Sequence, residues 1–513
     1  MSSPGTIGWF ARHEARLAWR DWVSLMTGGS RWRARGLAAG FVVVAIALHG
    51  IAYLTVAGSA HLTSAADRST LALVTGTLLM AWSLMLSQAM ESVTRAFYAR
   101  GDLELILCSP AQAPRIFSVR VAATVVTILL MMLLLAAPFI HVLAWFGGAR
   151  WFGGYAVVAA LAMDAVAVAL VLTVALFRAI GPRRTRIVAQ IVAAVVGSGF
   201  AIGMQFAAIV SYLDAPGLVA TRFALLERFG PASGSVFWWP ARALLGEPTA
   251  LFVVVAASAA ALAVAIRAVA PRFGPLAVAA GSVPHARARG SARAMRLRSG
   301  SPARALRRKE WMLLWRDPWL ISQSLMQLLY LLPAAYLLWR SVYAGGGASP
   351  LVVPILVVAA GQLGGGLAWL AVSGEDAPDL VASAPVSAAG ILRAKAQAVL
   401  GVIAMIFGPM VVVLGAVAPF AGLVALAGIV VAAGSATAIQ YWFRTQAKRS
   451  LFRRRQTSSR VANYAEALSS IGWAGAGALA AAGSWLAVVP GAIVVATLAC
   501  ARLVSPAGKP RSG

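Results

Sequence analysis

Val121-Ala-Ala-Thr-Val-Val-Thr-Ile-Leu-Leu-Met-Met-Leu-Leu-Leu-Ala-Ala-Pro-Phe-Ile-His-Val-Leu-Ala144 runs without one charged side chain, within an apolar stretch, 119–144, longer than the roughly 20 residues a helix needs to cross a bilayer. Working outward, comparable runs stand at 37–59, 71–90, 155–177, 187–212 and 249–268, and again at 319–339, 350–372, 396–418, 421–443, 464–483 and 485–504. The reading is an all-α polytopic membrane protein of about twelve transmembrane helices.

Composition agrees with lipid as the solvent. Of 513 residues, 60% are hydrophobic and only 12% charged, against roughly 25% charged in soluble domains; the mean hydropathy is +0.80. The net charge of +28 would fit a nucleic-acid binder if the cations shared one accessible face. They fall instead between the apolar runs. With twelve spans, Arg68, Arg150, Arg222, Arg228, Arg242 and Arg340 lie opposite the termini, and the other 38 of the 44 Lys and Arg lie on the termini's side. The positive-inside rule then sets both termini in the cytoplasm of a bacterial inner membrane, beside anionic lipid, and no nucleic acid is expected as a partner. The first apolar run is too long for a removable signal core. Two cysteines, Cys108 and Cys500, form no disulfide framework.

The chain repeats itself. Glu14-Ala-Arg-Leu-Ala-Trp-Arg-Asp21 matches Glu310-Trp-Met-Leu-Leu-Trp-Arg-Asp317 at an offset of 296. Glu104-Leu105, Pro110, Ile116 and Arg120 align with Asp379-Leu380, Pro385, Ile391 and Lys395 at 275, and Val188-Ala189-Gln190 with Val461-Ala462-Asn463 at 273. The landmarks keep their order, which indicates duplication. Six spans per half is an even number, so the two repeats are parallel. The expected domains are 1–269, a basic linker over 270–303, and 304–513. The first half carries an outer loop, 213–248, with no counterpart in the second.

Two paired segments stand out. In 9–26, Trp19 and Trp22 recur at helical spacing beside Arg12, Arg16 and Arg20, and Trp311, Leu314 and Trp315 with Arg307 and Arg308 repeat the arrangement. Such helices suit a membrane surface, rings in the headgroup layer and guanidinium groups on phosphates. The second pair lies between spans two and three of each half: Gly101-Asp-Leu-Glu-Leu-Ile-Leu-Cys-Ser-Pro110 and Glu375-Asp-Ala-Pro-Asp-Leu-Val-Ala-Ser-Ala-Pro385. Acids are scarce in this chain, yet Asp102, Glu104, Glu375, Asp376 and Asp379 gather here, placed to start short helices that proline stops.

The pre-span helix ending in Trp-Arg-Asp, the six spans, and the acidic-Leu segment closed by Pro together resemble the exporter-type (type-2) permeases of ABC transporters, here duplicated in tandem within one chain. Val236-Phe-Trp-Trp-Pro-Ala-Arg-Ala-Leu-Leu-Gly246 is similar to that family's outer re-entrant region. The resemblance implies amphipathic elbow helices at Glu14, Trp19, Arg20, Asp21 and at Glu310, Trp315, Arg316, Asp317. It implies short cytoplasmic coupling helices that dock ATP-binding subunits through Asp102, Leu103, Glu104, Leu105 and Pro110, and through Glu375, Asp376, Asp379, Leu380 and Pro385. The chain has no G-x-x-x-x-G-K-[ST] loop, so ATP and magnesium belong to the partner subunit, in two copies. This chain is then a transport subunit and no enzyme, moving a substrate whose chemistry the motifs leave open.

Asp164 lies near the middle of the fourth span and is a candidate pathway residue, because an unpaired carboxylate there costs a few kcal/mol or more; the structural alternative is a hydrogen bond to a neighbouring helix. His49 and His141 lie in or near spans without metal-ligand spacing, and no metal site is expected. Glu466, which opens a span, is set aside as lacking a surrounding loop. An ion-coupled secondary transporter with two parallel six-helix halves is the competing function, with Asp164 as its proton carrier.

Overall fold

In the computed structural model, the described residues are 48–62, 67–98, 113–212, 234–281, 301–316, 331–343, 351–373, 385–443 and 460–505, with isolated positions elsewhere. These residues are helical and contain no strand. The chain divides into two compact units, Met1–Ala286 and Arg287–Gly513, and the division falls inside the expected linker.

The first unit contains a helical stretch through 48–56, then α1 (Arg68–Tyr98), α2 (Ala113–Gly147), α3 (Gly153–Tyr212), the short α4 (Trp239–Leu244), α5 (Pro248–Val269) and α6 (Phe273–Gly281). The second contains α7 (Pro302–Arg316), α8 (Leu332–Tyr343), α9 (Val352–Ser373), α10 (Ala388–Val417), α11 (Pro419–Phe443), α12 (Arg460–Ala481) and α13 (Val488–Val504). Among the described residues, eight stretches are long and apolar enough to cross a membrane: Arg68–Tyr98, Pro114–Gly147, Ala149–Gly181, Pro248–Leu276, Val352–Ser373, Ala388–Val417, Pro419–Phe443 and Trp485–Leu503. The protein is therefore a multi-pass, all-α membrane protein. Of the expected spans 37–59 and 319–339, the described residues cover 48–59 and 331–339 continuously, and both parts are helical. The span expected at 187–212 is helical, and so is that at 464–483, where Asn463, Tyr464, Glu466, Ser469 and Ser470 lower the apolarity of α12.

Local chemistry explains the breaks. Gly181 interrupts α3 at φ 74°, a backbone that side chains disfavour, and Pro182 restarts the helix beyond it. The last two helices of the second unit join through a tight Schellman closure, in which Gly483 (φ 73°) donates to the Ala480 carbonyl and Ser484 to that of Leu479, both at 2.9 Å.

In the first unit α3 packs against α1, α2 and α5 around Met90, Ala165, Ala169 and Leu170. In the second, α9 is enclosed by α10, α11 and α12, and its Ala- and Gly-rich surface lets backbones approach. One expectation changes here. The stretch 270–281, read as flexible linker, is helical, and Phe273 is fully buried against Phe97 and Phe117. Burial of one large aromatic ring ties that segment to the core. The segment Val236–Gly246 is likewise folded, with Trp238 buried beside Leu71 and Trp151.

Candidate functional site

The densest polar site among the described residues surrounds Lys395 in the second unit. Ser387 caps α10, its hydroxyl oxygen accepting from the Gly390 amide at 3.1 Å. Two turns later Lys395 stands almost fully buried. Its ammonium donates to the Ala371 carbonyl at 2.6 Å, in the last turn of α9, where a cation also complements the helix dipole. It donates to Glu310 Oε2 at 3.0 Å and to Glu375 Oε2 at 3.5 Å. The three N–H groups of a lysine are thus all used. Lys309 completes the cluster, bonded to Glu375 and 3.4 Å from Glu310 Oε1.

Two lysines and two glutamates give a neutral group, which is what burial demands, since Glu310 is only 1% exposed. Its geometry is mechanical: α7, the end of α9, the start of α10 and the first residue of the acidic segment meet at one ammonium. Part of the apolar stripe of 302–316 packs on the protein itself. Glu310 and Leu314 are buried, and Trp311 packs so closely on α10 that a methyl at Gly401 would meet its ring at 2.8 Å. Arg304, Arg307 and Arg308 face outward.

Of the residues expected to dock a partner, Glu375 and Pro385 are described; Asp102, Leu103, Glu104, Leu105, Pro110, Asp376, Asp379 and Leu380 lie outside the described residues. Of the elbow residues, Arg20 is helical and exposed, as are Arg12 and Arg16, which forms the expected basic stripe. Glu310, Trp315 and Arg316 are helical in α7, whereas Glu14, Trp19, Asp21 and Asp317 lie outside the described residues.

Asp164 is half-buried, and its Oδ2 accepts from Trp82 Nε1 of α1 at 2.9 Å. That is the interhelical hydrogen bond of the structural alternative. Glu466 is buried too, and its Oε2 accepts from Gln440 Nε2 of α11 at 2.6 Å. It lies against Gly365 of α9, where a methyl would overlap its carboxyl group. His49, His141 and Tyr155 are hydrogen-bonded in line. Sequence spacing carried no signal for Glu310 with Lys395, 85 positions apart, or for Glu466 with Gln440.

A search of family models, of curated proteins and of solved structures finds no match to this chain.

Proposed function

We propose that this chain is the membrane-spanning permease of an ABC-type exporter. Both membrane domains lie in one polypeptide as parallel six-helix repeats, twelve spans in all, in a bacterial inner membrane with cytoplasmic termini. Separate ATP-hydrolysing subunits, two copies, dock on the acidic segments 101–117 and 374–392 and carry ATP and magnesium.

The observation that supports this reading best is the anchorage of Glu375. A free loop has no need of buried ion pairs at its origin, but a segment that receives force does. Here the acidic segment starts on Lys309 and Lys395 and ends on the Ser387 cap. A displacement of that segment therefore reaches α7, α9 and α10 together, which is what ATP-driven closure of a partner requires. The sequence holds no phosphate-binding loop, and on this reading the energy comes from a separate subunit.

The test is co-purification from detergent extract. Reversing Glu104→Lys and Asp379→Lys together is expected to lose the ATPase subunit, whereas Arg68→Glu is expected to keep it; a single reversal of a partly exposed contact costs about 1 kcal/mol or less. Retention of the ATPase by the double variant, or transport by the wild-type chain in vesicles without nucleotide, would replace this reading with an ion-coupled transporter working through Asp164.

A further inference from the structure

Three polar side chains that the proposed function leaves unused meet at the C-terminal end of α2. His49 belongs to the helical stretch 48–56, His141 lies in the last two turns of α2, and Tyr155 sits in the first turn of α3. His49 Nε2 is 3.1 Å from His141 Nδ1, and the ring centroids are 5.4 Å apart with planes 20° from parallel. The centroid separation exceeds the N···N distance by 2.3 Å (5.4 less 3.1), which is what two imidazole radii add when the nitrogens point straight at one another. Lone pairs in line share a hydrogen; they do not converge on a metal ion.

The partners assign the hydrogens. His49 Nδ1 lies 2.8 Å from the Ala45 carbonyl, which only accepts, so Nδ1 carries its hydrogen. In the neutral ring Nε2 is then an acceptor, and His141 Nδ1 donates to it. His141 Nε2 is left to accept from the Tyr155 hydroxyl, 2.6 Å away. Both rings are neutral and every group is satisfied.

One further proton fits without breaking anything. Bound at His141 Nε2, it donates to the Tyr155 oxygen, whose own hydrogen turns away, and the His141–His49 bond becomes charge-assisted. A second proton places an N–H on each of the facing nitrogens, leaving no acceptor between two cations. We infer that His49 and His141 form a single proton-binding site, which stays joined on taking up one proton and opens on taking up two.

Among the described residues, the surroundings leave this pair to itself. The stretch 48–56 contributes only Tyr53, set against Phe146. No acidic residue occurs in 48–62 or 138–158, and α2 has no cation beyond Arg120. Arg150 donates to the Ala60 carbonyl at 2.9 Å and stands over the Trp151 ring, while His61 follows in the turn. Asp164 is nine residues along α3 from Tyr155, about 13 Å at 1.5 Å per residue, and is held by Trp82. Because Arg150 and Trp151 both bond the Ala60 carbonyl, the segment stays tethered there, and loss of the histidine contact swings 48–56 about Ala60.

The test is a distance between nitroxide labels at the exposed positions Ile51 and Trp145, placed as cysteines in a chain whose Cys108 and Cys500 are serine, reconstituted in nanodiscs. The distance read at about pH 8 should lengthen in acid, below about pH 5. His141→Gln and His49→Gln, which offer the same neutral donor and acceptor, should abolish that lengthening. An unchanged distance below about pH 5 overturns the inference, as does an identical opening in both glutamine variants. So does a distance change on adding zinc ion at neutral pH that needs both histidines, since that assigns the site to a metal.

Discussion

In the first unit, the last turn of α1 and the first turns of α2 close around Phe97, Phe117, Phe177 and Phe273, with neighbouring ring centroids 4.7–6.1 Å apart. In the second, the last turn of α9 and the first turns of α10 close around Lys395, Glu310 and Glu375. Dispersion and ring quadrupoles hold the one, neutralised charge the other. Their failures differ. An aromatic cluster that loses atoms weakens in proportion to the volume removed, whereas a buried ion cluster that loses one member keeps an uncompensated charge.

The largest expected effect follows from that difference. Lys395→Met should cost about 3–5 kcal/mol by leaving Lys309 alone to neutralise both Glu310 and Glu375. Phe97→Leu, which removes apolar carbon alone, should cost about 2 kcal/mol. Restoring neutrality by adding Glu310→Leu to Lys395→Met should recover most of the loss, with Lys309 and Glu375 still paired. The measurement is the temperature at which the detergent-solubilised chain loses its monodisperse chromatographic peak. A double variant no better than Lys395→Met would show that packing, not charge, closes this end of the second unit.

A smaller effect comes from the glycines. Gly365 of α9 lies against Glu466 and has no space for a methyl group, while Gly76 of α1 has nothing within 4 Å. Gly365→Ala should destabilise by about 1–3 kcal/mol through overpacking. Gly76→Ala should be neutral or stabilising by about 0.5–1 kcal/mol, because alanine favours the helix. The same thermal assay reads both, and equal outcomes would remove the distinction between a tight α9 and an open α1.

The eight apolar stretches were legible because hydropathy acts residue by residue: the run at 119–144 becomes α2, and those at 396–418 and 421–443 become α10 and α11. The Gly181-Pro182 break was legible as the gap between two runs. Partners across helices were not. Lys395 read as a landmark matching Arg120, and only the fold shows its ammonium between Glu310 and Ala371. Glu466 read as an acid opening a span without a surrounding loop, because nothing local indicates that Gln440 and Gly365 converge on it. Phe273 read as linker since Arg, Pro and Gly surround it, and a single buried ring outweighs that composition. Asp164 was legible as a buried acid, but its indole partner on α1 was not.

The smallest effect separates two helix starts, one per unit. Asp67 caps α1, its Oδ1 accepting from the Thr70 amide at 3.1 Å, with the Ser69 hydroxyl on its other oxygen. Ser387 caps α10 through the same geometry, accepting from Gly390 at 3.1 Å. Only the first cap titrates. The Ser69 hydroxyl, and after it Thr70, hold the Asp67 carboxyl below its ordinary 3.8. A depressed carboxylate contributes stability above its unfolded value and loses it as pH falls through the folded one. The start of α1 should therefore fray on acidification below about pH 3.9, while the start of α10 should not. Hydrogen exchange of peptides 67–74 and 387–394, corrected for intrinsic rates, reads this difference. Asp67→Asn, which keeps an accepting oxygen without the charge, should make the first peptide as insensitive to acid as the second. Equal fraying of both starts in the wild-type chain would mean that acid loosens the bundle as a whole, and the charged cap would then have no separate part in holding α1.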